Sequence, residues 1–131
     1  GKSKVVREGG DATIVAWGPA VPDALKAAEQ LAGEGIECEV IDLRTLVPLD
    51  MEPVLASVAK TGRCVVAAQA VLSGSYVNEV VARVVAEAFD DLDAPVARIG
   101  AANGISPQAE GLEAAFLPNV GDIANAVKGL I

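Results

Sequence analysis

Short continuous apolar runs alternate along this chain with stretches whose apolar residues recur every three or four positions. Runs of about 4–8 apolar residues suit strands covered on both faces, whereas the wider spacing suits helices with one buried stripe. Lys4–Arg7 predicts a brief strand, and Gly9-Gly10-Asp11 turns the chain into a second strand over Ala12–Trp17. Pro22-Asp23 opens a helix that runs to about Ala32, with Leu25, Ala28 and Leu31 facing inward and Gly33 and Gly35 as its stop. Glu37–Leu43 predicts the next strand. Asp50 caps a helix over Met51–Lys60 that Gly62 ends, and Cys64–Ala68 follows as a third buried strand. A helix over Tyr76–Phe89 carries Val77, Val80, Val81, Val84, Val85 and Ala88 on one face and Glu79, Arg83 and Glu87 on the other. Val96–Ile99 predicts a last short strand and Asp122–Leu130 a closing helix.

Strands separated by helices imply a mainly parallel sheet with right-handed crossovers, in one α/β domain over residues 1–131. Composition sharpens this. Hydrophobic residues make up 52% of the chain but aromatics only 3%, so the core must be Ala, Val, Leu and Ile. The net charge of −8 argues against nucleic acid or an anionic membrane as partner. No stretch reaches the roughly 18 apolar residues of a membrane span, and the first residues lack a signal-peptide core. Cys38 and Cys64 lie inside apolar runs, which predicts buried thiols and a reducing, intracellular setting. The chain contains no histidine, which removes the commonest general base and metal ligand.

Parallel sheets carry their working groups in loops beyond the carboxyl ends of the strands. Four loops qualify: Gly18–Val21, Arg44–Leu49, Gln69–Ser75 and Gly100–Gln108. The first, third and fourth contain no carboxylate, cation or histidine, so this edge has nothing with which to polarise a substrate. Gly100-Ala-Ala-Asn-Gly104 lacks the spacing of a phosphate loop. Ser73 and Ser75 lack an activating base and read as turn serines. Asp90-Asp91-Leu92-Asp93 fits no calcium loop and reads as solvated surface. Asp42 and Arg44 flank a strand end and are expected to pair structurally, with each other or with a backbone carbonyl. No catalytic, cofactor-binding or metal-ligating residue is assigned.

Several stretches together resemble a known family. They are Gly1-Lys-Ser-Lys-Val-Val-Arg-Glu-Gly9, Thr13-Ile-Val-Ala-Trp-Gly18, Glu39-Val-Ile-Asp-Leu-Arg-Thr-Leu-Val-Pro-Leu-Asp50, Lys60-Thr-Gly-Arg63, Glu87-Ala-Phe-Asp-Asp-Leu-Asp-Ala-Pro-Val96 and Leu117-Pro-Asn-Val-Gly-Asp-Ile123. Spanning the chain in order, they resemble the transketolase C-terminal-like domain of the beta subunit of thiamine-dependent 2-oxoacid dehydrogenases, the pyruvate and branched-chain enzymes. The resemblance implies a three-layer α/β/α sandwich around a five-stranded, mostly parallel sheet whose first strand is antiparallel. It implies that thiamine diphosphate is bound by other domains, that this domain helps subunits dimerise, and that its C-terminal region docks the subunit-binding domain of the dihydrolipoyl acyltransferase. The matching position for docking is Ile131, at the end of the last helix. A cytoplasmic or mitochondrial-matrix location is implied as well.

Departures from the family pattern cluster at one edge. Pro22 stands where members usually carry a histidine. Ala68-Gln-Ala-Val-Leu-Ser-Gly-Ser-Tyr-Val77 replaces His-Glu-Ala-Pro-x-x-Gly-Gly-Phe-Gly, and Ala101-Ala-Asn-Gly-Ile-Ser-Pro-Gln108 replaces Gly-x-Asp-x-Pro-x-Pro-Tyr. The expectation is an excised, engineered domain whose former inter-domain surface became a self-association surface. That surface comprises Ala20, Val21, Pro22, Val71, Leu72, Tyr76, Ala101, Ala102 and Ile105. A non-catalytic homo-oligomer, most simply a two-fold dimer, is the leading functional reading. The others are a natural dimerisation and acyltransferase-docking domain, an independent enzyme, a small apolar ligand pocket at the altered edge, and an old interface merely patched with alanine.

Overall fold

The computed structural model describes residues 1–101 and 119–131. The described elements are β1 (Lys4–Arg7), β2 (Ala12–Ala16), α1 (Ala20–Ala32), β3 (Cys38–Asp42), α2 (Glu52–Thr61), β4 (Cys64–Val71), α3 (Tyr76–Ala88), a 3-10 turn over Phe89–Asp91, β5 (Ala97–Ala101) and α4 (Val120–Leu130). The strands form one sheet in the order β1-β3-β2-β4-β5. β1 runs antiparallel to β3, and every other pairing is parallel. α1 and α4 cover one face and α2 and α3 the other, which is the three-layer sandwich expected.

β2 lies at the centre, and all five of its residues are buried. Strand alternation sends Ile14 and Ala16 toward α1 and α4, and Val15 toward α2 and α3. Small residues on α1 (Ala20, Ala24, Ala27 and Ala28) let that helix lie close to the sheet. Fully buried Ile14, Leu31, Ile41, Val66 and Val80 each contribute roughly 1.5–3 kcal/mol of burial.

The α2 face also buries polar groups, and they are paired. The Thr13 hydroxyl lies 2.6 Å from that of Ser57 and 2.7 Å from that of Thr61. Thr61 donates in turn to the Arg63 carbonyl at 3.0 Å. Glu39, nearly buried, accepts from Lys60 Nζ at 2.5 Å and from the Gly9 N–H at 3.4 Å. β1 is held mainly along its backbone and by polar ties. Ser3 N–H donates to Asp50 Oδ2, and Arg7 bonds both the Cys38 carbonyl and Glu37.

Several boundaries differ from those read in the sequence. α1 starts two residues before Pro22, which sits within the first turn, where a missing N–H is harmless. β4 continues three residues beyond Ala68, across a register shift, so Val71 belongs to a strand. β5 likewise extends to Ala101. Gly100 allows this approach, because a Cβ there would sit 2.5 Å from the Ala70 carbonyl oxygen and 2.6 Å from Leu72. Asn119 caps α4 with Asp122 in a reciprocal box, moving its start to Val120.

Candidate functional site at the carboxyl ends of the strands

β2 and β3 end side by side, with Ala16 paired to Asp42. Beyond each end the backbone turns through a left-handed residue: Gly18 at φ +58 and Arg44 at φ +62. The Leu43 N–H reaches the Ala16 carbonyl at 3.0 Å, and the Thr45 N–H reaches Leu43 O at 2.6 Å. Asp42 and Arg44 do meet, but through the main chain. Asp42 Oδ1 accepts the Arg44 backbone N–H at 2.9 Å. Of the pairings expected, the one with each other forms, through the Arg44 backbone, and the guanidinium is left exposed, with no hydrogen-bond partner among the described residues.

The loop after Arg44 contains a cis Val47–Pro48 bond and presents Val47 at 80% exposure. Tyr76 opens α3, and its hydroxyl donates to the Leu46 carbonyl at 2.9 Å, clamping this loop to the helix. Ser75 caps the same helix by accepting the Val77 N–H. Asn78 donates to the Leu72 carbonyl at 2.6 Å and accepts from Arg98 at 2.5 Å, which fixes the β4–α3 turn. Trp17, Leu46, Leu49, Leu72 and Tyr76 are half-buried and pack onto the core between the sheet and α2–α3. Among the described residues the result is a braced apolar rim with the exposed Arg44 guanidinium beside it.

The residues named from sequence distribute unevenly over this rim. Leu72 and Tyr76 join its half-buried cluster, and Val71 is half-buried at the end of β4. Val21 and Pro22 occupy the first turn of α1, half-buried and exposed respectively. Ala20 is a correction: at 1% exposure it belongs to the core under α1, because the helix starts early and turns this methyl inward. Ala101 closes β5, half-buried, while Ala102 and Ile105 lie outside the described residues. Ile131 is exposed at the end of α4. Sequence reasoning did not single out Trp17, Leu46 or Val47, and gave Arg44 only a structural pairing with Asp42. The signal was present in the apolar Leu46-Val-Pro-Leu49 stretch of a loop already placed at this edge.

A second apolar feature lies where the strands begin. Val81, Val85, Phe89, Leu92, Pro95 and Val96 line a groove of about 740 Å³, with Asp90 and Asp93 also in its wall. Phe89 is 69% exposed there. Its aspartates come from the acidic run read as solvated surface.

The buried thiols sit well away from the rim, at the starts of β3 and β4. Burial pushes Cys38 up to about 11 and Cys64 up to about 12, so neither forms a thiolate nucleophile near neutrality. Among the described residues no three His, Cys, Asp or Glu side chains converge to hold a metal ion. No described helix is long and apolar enough to cross a membrane.

The family described as "Transketolase, C-terminal domain" matches residues 1–123. The chain is 42% identical over 130 residues to the pyruvate dehydrogenase E1 component subunit beta of Rhizobium meliloti, covering 99% of this chain and 28% of that protein. It is 48% identical over 128 residues to the mitochondrial pyruvate dehydrogenase E1 component subunit beta-1 of Arabidopsis thaliana, covering 98% of this chain and 35% of that one. Among solved structures, a split-gene transketolase described as an inactive beta4 tetramer superposes with a TM-score of 0.85 at 31% identity. That match covers 98% of this chain and 42% of the other.

Proposed function

The chain belongs to the transketolase C-terminal domain family, and from that premise we propose that it is a non-catalytic assembly domain related to the 2-oxoacid dehydrogenase beta subunit. In this reading it pairs with a second copy through the rim at the carboxyl ends of its strands, where the family-like stretches ending at Gly18 and Asp50 meet the departing stretch Ala68–Val77, which we read as redesigned. The observation that carries it is the braced cluster of Trp17, Leu46, Leu72 and Tyr76 with Val47 standing 80% exposed beside it. Trp, Tyr and Arg are the residue types that dominate binding energy at protein interfaces, and all three occur at this edge as half-buried Trp17 and Tyr76 and exposed Arg44. A solved relative described as a beta4 tetramer supports association of such chains.

The rim does not suit thiamine diphosphate. Leu46, Val47 and Leu72 offer a pyrophosphate no donor, which leaves the Trp17 indole and the Arg44 guanidinium, and among the described residues no cluster of metal-ligating side chains stands beside them. Residues elsewhere in a whole beta subunit would carry that chemistry. One relative is named as mitochondrial and another comes from a bacterium, which supports a mitochondrial or bacterial setting.

Light scattering with mass determination at low and high micromolar concentration tests the proposal. A mass near twice 13.3 kDa, reduced to one chain by Val47→Asp, is expected. A single-chain mass at both concentrations would overturn it.

A second reading rests on the groove at the opposite edge. Its exposed Phe89 and apolar floor, with Asp90 and Asp93 in the wall, suit a basic partner segment such as the acyltransferase's subunit-binding domain. Ile131 lies at the same end of the sandwich, since Lys128 in the last turn of α4 pairs with Glu34 just after α1. Titration calorimetry with that domain separates the readings: binding abolished by Phe89→Ala supports this one, and no heat excludes it.

A further inference from the structure

Two adjacent strands end in the same backbone conformation, and the chain treats them differently. Gly18 follows β2 at φ +58, and Arg44 follows β3 at φ +62. Left-handed backbone suits glycine, which has no Cβ to collide with the neighbouring carbonyl, and it is uncommon for a long side chain. Arg44 therefore holds a position that glycine would fill with less strain. Its side chain gives the described structure nothing in return: the guanidinium forms no hydrogen bond or ion pair with the described residues and stands exposed. Its backbone N–H bond to Asp42 would survive any substitution other than proline. Non-glycine residues kept in such conformations tend to sit at functional surfaces.

Resting on the rim association proposed above, we infer that Arg44 is the specificity anchor of that contact, placed to pair with a carboxylate of a second copy. The occupant is the second copy of that association, and the cation answers a difficulty the association raises. Each copy carries a net charge of −8, so an apolar patch alone would bring two acidic surfaces together with nothing to offset their repulsion. A two-fold contact is self-complementary, so the rim must supply the carboxylate as well as the cation. Among the described residues, exposed Glu79 and Glu52, in the first turns of α3 and α2, and half-buried Asp23, in the first turn of α1, are acids at the helix starts that could supply it. An Arg fork on a fixed, left-handed backbone is held ready for a planar carboxylate, where lysine would present only a mobile point charge.

The test compares the parent chain with Arg44→Gly, Arg44→Gln and Arg44→Lys by sedimentation equilibrium and thermal melting. Arg44→Gly relieves the strain and removes the cation, and is expected to weaken association about tenfold or more while the dilute chain melts at the same temperature or higher. Arg44→Gln keeps the strain and should weaken association to a similar degree. Arg44→Lys should fall between parent and Gln. If the parent dimerises and all three variants dimerise equally well, the role of Arg44 is refuted while the rim contact stands. If the parent is a monomer at every concentration, the rim contact fails and the inference falls with it. A lower melting temperature for Arg44→Gly would overturn it too, by giving the arginine a structural role.

Discussion

Replacing Thr13 by valine probes the one polar knot inside this otherwise aliphatic core. The side chains have nearly the same shape and both suit a strand, so the change removes a hydroxyl and little else. Thr13 is fully buried, and its hydroxyl lies 2.6 Å from Ser57 Oγ and 2.7 Å from Thr61 Oγ1. Both partners lose a bond. Thr61 keeps its bond to the Arg63 carbonyl, and Ser57 retains only the Glu39 carboxylate as an alternative. Net loss of a neutral bond costs about 0.5–1.5 kcal/mol, and a hydroxyl stranded out of water costs about 1–3 kcal/mol. We expect Thr13→Val to lose about 2 kcal/mol, partly offset by the added methyl. At about 4 °C per kcal/mol for a chain of this size, the midpoint should fall by roughly 5–8 °C. Urea unfolding at fixed low protein concentration reads the difference without interference from association. The double variant Thr13→Val, Ser57→Ala should recover part of the loss, because the stranded Ser57 hydroxyl is gone while Thr61 keeps its bond to the Arg63 carbonyl. A Thr13→Val chain as stable as its parent would refute the reasoning.

Burial alone would raise the pKa of Glu39, but hydrogen bonds from Lys60, Ser57 and Gly9 outweigh it and hold the carboxyl below its ordinary value. Its stabilisation is therefore complete above the unfolded value of about 4.3 and fades as pH falls through the lower folded value. Glu39→Gln should flatten the loss of urea midpoint between about pH 5 and pH 3, and an unchanged slope would count against this. Cys38 and Cys64, pushed up to about 11 and 12, should resist iodoacetamide at neutral pH in the folded chain and react on denaturation. Mass spectrometry showing rapid native labelling would contradict that. Gly62 takes φ +72 at the end of α2 with the Asp93 carboxylate against it, so an added Cβ meets both strain and collision. Gly62→Ala should lose about 2 kcal/mol or more in urea unfolding, and a neutral result would show that Asp93 moves aside freely.

The layer architecture was legible because buried parallel strands and one-sided helices write different periods into a sequence. Ala12–Ala16 and Cys64–Ala68 are apolar at every position, as a strand between two helix layers must be. Helix starts were less legible. Ala20 and Val21 carry no capping signal, and α1 begins after Pro19 without a side-chain cap, so a start at Pro22 looked natural. The ends of β4 and β5 were hidden because strand pairing, not local propensity, draws Gln69–Val71 and Gly100–Ala101 into the sheet. The rim itself was only half legible. Its location follows from strand polarity, but which side chains stay exposed depends on packing. Ala20 turned inward, whereas Val47 was lifted out by a loop whose path no periodicity records.

β1 comes first in the chain, yet its strand neighbour is β3, with β2 and α1 intervening. β1 has nowhere to pair until β3 is in place, and joining it closes a chain loop that spans β2 and α1. Lys4–Arg7 is the edge strand that seals the outer side of β3. Until it closes, the outer hydrogen-bonding groups of β3 are a vacant template, open to any passing strand. The antiparallel first strand thus sets when in its life this protein is most exposed to pairing with the wrong chain.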